Sequence, residues 1–116
     1  METVAKTCRK FGSQVNAETV DGAERDAMAR WIESVDALNP LDLVIANGEN
    51  TAGGFGITLD TAYELLENGV DVLTSGNHIW DQKEIIPHLN GETPILRPLN
   101  YPPSVPGRGH ITVDGA

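Results

Sequence analysis

The sequence predicts a layered α/β protein with a largely parallel sheet, and three observations carry that reading. Two short apolar runs, Leu43-Val44-Ile45-Ala46 and Val70 to Leu73, flank a segment in which Leu59, Ala62, Leu65 and Leu66 recur at helical spacing. This strand–helix–strand order is a βαβ unit, whose crossover is expected to be right-handed. Pro94-Ile95-Leu96 then repeats the strand pattern. In such sheets, ligands bind just beyond the carboxyl ends of the strands. Here those ends read Asn47-Gly48-Glu49-Asn50 and Gly76-Asn77-His78.

Bulk composition bounds the function. The chain has 116 residues, 40% of them hydrophobic, enough for one domain at most. Seventeen acidic residues against eight basic ones give a net charge of −9. That balance argues against binding a nucleic-acid duplex, which calls for a basic patch. It leaves room for a small phosphate substrate, because a metal ion can supply positive charge locally. The single cysteine, Cys8, excludes an internal disulfide and suits a reducing compartment. No apolar run approaches the roughly 18–20 residues of a membrane span, and the N-terminus lacks the apolar core of a secretory signal. A cytoplasmic protein is the expectation.

Taken in order, residues 1–20 show neither helical nor strand periodicity and are expected to be divergent, loose or locally helical, with a domain occupying 21–116. Asp21-Gly22-Ala23-Glu24 reads as a helix cap, after which Ala27, Met28, Trp31, Ile32 and Val35 form an apolar stripe. Asn39-Pro40 stops that helix. Leu41 to Ala46 is nearly continuous in apolar character, which suits a strand covered on both faces. The loop Gly53-Gly54-Phe55-Gly56 is neither a P-loop nor a dinucleotide fingerprint. Thr58 caps the next helix and Asn68-Gly69 closes it. Asp81, with Glu84 three residues on, reads as the cap of a short helix that Pro87 shortens, with Ile85, Ile86 and Leu89 facing inward. After Pro94-Ile95-Leu96 comes a proline-stiffened loop, and Ile111-Thr112-Val113 reads as the start of another strand.

The chemistry gathers at the two strand ends. Glu49 offers a hard carboxylate able to bridge two cations, and Asn50 and Asn77 offer neutral oxygens suited to manganese or iron. His78 could ligate a metal or donate a proton, since imidazole titrates near neutrality. Each residue alone has an ordinary explanation in turn chemistry or a solvated surface. Their placement together at consecutive strand ends is what suggests a site. Arg97, at the next strand end, could contact phosphate or pair with an acid. Trp80 reads as packing for the His78 loop, His88 as a surface residue, and His110 as a turn residue.

The segments Asn47-Gly48-Glu49-Asn50, Ala52 to Thr58, Gly76 to Glu84 and Arg97 to Pro102, in order and with natural spacing, resemble the YmdB-type branch of the calcineurin-like metallophosphoesterases. The resemblance runs from about Asp21 to His110. It implies the N-terminal half of a metallophosphoesterase fold, with the C-terminal half missing. It also implies a phosphodiesterase with two divalent metal ions, iron or manganese, acting on 2′,3′-cyclic nucleotides or similar phosphate esters. By motif position, Glu49 would bridge the metals, Asn50 and Asn77 would be ligands, and His78 would be the proton donor.

The sequence departs from that pattern in two places. The family opens with an apolar strand ending in Gly-Asp, whose Asp is a ligand; here Ala17-Glu18 stands at that register, with Glu18 as the candidate stand-in. The family's later histidine ligands have no counterpart, since neither His88 nor His110 lies in a matching motif. Three readings follow. The chain is a phosphodiesterase completed by another chain or by a second copy in a homo-oligomer; or a non-catalytic metal-binding remnant or interaction module; or a nucleotide-binding module built on the Gly53-Gly54-Phe55-Gly56 loop.

Overall fold

The computed structural model describes residues 2–21 and 24–114. These form two compact units, one up to Ser34 and one from Val35 onward. The first unit opens with helix α1, Glu2–Lys10, a local helix of the kind residues 1–20 allow. Ala5 is buried within this unit. Helix α2 spans Arg25–Leu38. Its expected cap includes Gly22 and Ala23, which lie outside the described residues. The stop at Asn39-Pro40 is as expected, with the Asn39 N–H closing the last turn onto the Val35 carbonyl.

The second unit is built on a three-stranded parallel sheet in the order β1 (Ile45–Asn47), β2 (Val72–Thr74), β3 (Ile95–Leu96). Registers pair Ala46 with Leu73 and Leu73 with Ile95. Helix α3, Leu59–Glu67, makes the crossover from β1 to β2. Its N-terminus carries a full capping box: Thr58 accepts from the Thr61 N–H, and the Thr61 hydroxyl accepts from the Thr58 N–H. Thr61 thus does the work usually given to Glu or Gln. A 3₁₀ helix, Lys83–His88, leads from β2 toward β3, and Pro87 within it fits the tighter, shorter geometry. The core consists of Ile57, Leu73, Ile79, Ile85, Leu89 and Ile95, all fully buried, with Ala62 and Val70 beside them.

Two expectations fail. The Leu41 to Ala46 run is not covered on both faces: Leu41 and Leu43 are 40% exposed and Ile45 is 58% exposed, while Val44 and Ala46 pack against the core. Among the described residues, β1 is an end strand of the sheet, and alternate side chains along the run, Leu43 and Ile45, face outward. Residues 111–113 are not in a strand; Arg108, a few residues earlier, forms a parallel bridge with Leu96.

Candidate functional site

The end of β1 is turned by its own last residue. The Gly48 N–H extends the ladder to the Thr74 carbonyl (3.0 Å). Asn47 Oδ1 then accepts the Glu49 N–H at 3.1 Å, the local side-chain turn that Asn favours. This turn sends the Glu49 carboxylate across to the end of β2, where Oε1 accepts the His78 N–H at 3.1 Å. The crossing requires Gly76. A β-carbon there would run into the Glu49 carboxylate.

At the end of β2, fully buried Ile79 anchors the turn that carries His78. The His78 ring hydrogen-bonds through Nδ1 to Asp81 Oδ2 at 2.7 Å, with both side chains partly exposed. An ionised carboxylate can only accept, so Nδ1 carries the proton and Nε2 is the nitrogen left for other chemistry. This corrects the expected role of Asp81. Gln82, not Asp81, precedes the 3₁₀ helix, and it makes no side-chain cap bond. The carboxylate is turned back to histidine instead.

The glycine loop closes over the same turn. Gly56 has φ +73°, and a β-carbon on it would lie 2.9 Å from the His78 carbonyl, so both conformation and space demand glycine. Gln82 Nε2 donates to the Phe55 carbonyl (2.8 Å). The Phe55 and His78 rings meet edge-on, centroids 5.5 Å apart and planes at 75°.

Of the residues singled out from sequence, Glu49 and His78 are thus in direct contact, and Asn50 and Asn77 stand exposed on the same two turns. Arg97 is engaged by the backbone of its own loop. It is buried, and its guanidinium donates to the carbonyls of Gly107 (2.8 Å), Pro98 (3.0 Å) and Tyr101 (3.3 Å), stapling the proline-rich loop. Trp80 packs as expected, donating to the Pro106 carbonyl and meeting Tyr101 edge-on. His88 and His110 are exposed. Glu18 accepts from Trp31 Nε1 (2.9 Å) within the first unit. Sequence reading missed the Asp81 and Phe55 contacts with His78. For Asp81 a signal existed, since a carboxylate three residues after a histidine can reach back across one turn.

One carboxylate, two amides and an imidazole suit one side of a divalent-cation shell. Among the described residues, no group of three or more His, Cys, Asp or Glu is arranged to hold a metal ion. The donors fit part of a metal site and do not enclose a two-metal centre by themselves.

Known proteins resemble the chain in sequence and fold. A 2′,3′-cyclic-nucleotide 2′-phosphodiesterase of Bacillus subtilis (strain 168) is 34% identical over 92 residues, which is 79% of this chain and 35% of that protein. The crystal structure of a hypothetical protein from Thermus thermophilus superposes with a TM-score of 0.68 at 41% identity, covering 78% of this chain and 34% of that one. A Mycoplasma pneumoniae protein described as a novel phosphatase gives a TM-score of 0.63 at 34% identity, covering 73% and 32%. The chain therefore spans about a third of the length of these relatives, less than the half that the resemblance implied. The YmdB-like protein family model matches residues 17–116, and the chain belongs to that family.

Proposed function

We propose that the chain carries the β1–β2 portion of a metal-dependent phosphodiesterase site, acting on 2′,3′-cyclic nucleotides or similar phosphate esters in the cytoplasm. The supporting observation is the Glu49–His78 hydrogen bond. It ties two strand ends together at the place where parallel α/β sheets bind ligands. Glu49, Asn50 and Asn77 would hold divalent ions, iron or manganese, with the remaining ligands coming from another chain or from a second copy. Such ions, when bound, supply positive charge against the phosphate in a chain of net charge −9.

The chain's own residues do the rest. Glu49 fixes the distance between the two turns by holding the His78 backbone. Asp81 holds His78 Nδ1–H, which turns Nε2 outward; in the donor role the ring is the doubly protonated imidazolium, and the Nε2 proton is the one that passes to the leaving oxygen. The Bacillus relative is named for the 2′ ester. For that bond, water oxygen adds to phosphorus and gives up one proton to solvent, the bond from phosphorus to the 2′-oxygen breaks, His78 gives its Nε2 proton to that oxygen, and a solvent proton then restores the ring. The product is a nucleoside 3′-phosphate. Proton transfer of this kind is worth about 10²–10⁴-fold in rate.

The test is hydrolysis of a 2′,3′-cyclic nucleotide by the purified chain with Mn²⁺, beside Glu49→Ala and His78→Ala. Turnover lost in both variants supports the proposal. A folded chain that binds Mn²⁺ without turnover would instead be the non-catalytic metal-binding form.

A further inference from the structure

Phe55 is large, apolar and 62% exposed, yet it is held firmly in place. Gln82 grips its carbonyl, and its ring rests against the His78 ring. The loop that presents it is unsuited to holding phosphate. Thr51 to Thr58 contains no basic residue. The N–H groups of Thr51, Ala52, Gly53, Gly54 and Phe55 all donate to backbone carbonyls between Gly48 and Gly56, at 3.1–3.3 Å. A phosphate-cradling loop keeps those donors for its ligand. What this loop offers to a ligand is an aromatic ring.

The position of that ring matters for a nucleotide. In ribose, the 2′-oxygen and the base sit on adjacent carbons, so a group serving the 2′-oxygen and a group touching the base must be neighbours. We propose that Phe55 is the nucleobase platform of the site and gives it a preference for nucleotide esters over base-free phosphate esters. This rests on the reading of His78 as proton donor to the 2′-oxygen. An aromatic face stacks on any base, so selectivity among bases is expected to be slight.

The experiment titrates the full chain, in Mg²⁺, with adenosine 3′-monophosphate and separately with glycerol 2-phosphate, following the His78 and Phe55 ring signals by NMR. It is repeated for Phe55→Ala, Phe55→Leu and Phe55→Tyr. Loss of stacking should weaken the nucleotide about 5- to 50-fold in the Ala and Leu variants, with recovery in Tyr. Affinity for glycerol 2-phosphate should not change. Equal weakening of both ligands would make the ring a support for the His78 turn and overturn the platform. Equal affinity of the two ligands for the wild-type chain would overturn it too, while leaving the phosphoester site standing. If neither ligand moves His78 in the wild-type chain, the platform and the reading beneath it fall together.

Discussion

Two side chains decide the geometry of the candidate site, and each depends on a neighbour that sequence reading undervalued. Glu49 reaches His78 only because Gly76 leaves room for its carboxylate. Gly76→Ala should therefore displace that carboxylate while costing the fold less than about 1 kcal/mol, because the atoms in the way are the far end of a flexible side chain. The checks are a denaturant melt and faster hydrogen exchange at the His78 amide; an unchanged exchange rate there would mean that Glu49 does not hold it. Asp81 fixes which ring nitrogen of His78 is protonated. In Asp81→Ala the neutral ring should shift from the Nδ1–H form toward the Nε2–H form, read from its ¹⁵N chemical shifts. The sequence hid this role because Asp-x-x-Glu before Ile85-Ile86 has the spacing of a helix cap. The same carboxylate can turn toward either end of its segment, and one-dimensional spacing does not choose. Arg97 was opaque for a similar reason. Only the folded loop brings the Gly107 and Tyr101 carbonyls to its guanidinium.

Among the elements, α3 was legible because every signal agreed: a threonine cap, an apolar face at helical spacing and a closing Asn68-Gly69, with Gly69 at φ +91°. Thr58→Ala should cost about 1 kcal/mol through loss of the cap, measurable as a lower denaturation midpoint at unchanged slope. The sheet was legible in its strand order but not in its coverage. An apolar run such as Leu41 to Ala46 reports that a strand can be buried on both faces; whether a layer lies over each face is a property of the assembled sheet. Ile45 and Leu73 sit on neighbouring strands with opposite environments, 58% and 0% exposed. Ile45→Thr should stay within about 0.5 kcal/mol of the parent, whereas Leu73→Ala should cost about 2–5 kcal/mol. A large loss at Ile45 would show that something covers that face in solution. The short Ile111-Thr112-Val113 run has strand composition without a paired partner, and composition alone did not make it a strand.

At the scale of the whole molecule, the acidic surplus and the candidate site point to one measurement. Seventeen acidic residues against eight basic ones give a field that favours cations over free phosphate, so a cation should bind before any ester does. A ligand that binds only the folded state stabilises it by about 2.7 kcal/mol at a hundred times its dissociation constant. For a chain of this size, that predicts a rise of about ten degrees in Tm at such a Mn²⁺ concentration. Glu49→Ala and Asn77→Ala should abolish the rise if both residues are ligands. His78→Ala separates its two candidate roles. A proton donor can be removed with the Mn²⁺ shift intact and only turnover lost, whereas loss of the shift would make His78 a metal ligand through Nε2. An unchanged shift in Glu49→Ala would place the cation elsewhere among the acidic residues and remove the strand-end site from consideration. The melt needs no turnover, so it tests the metal-binding half of the proposed function independently of catalysis by this chain.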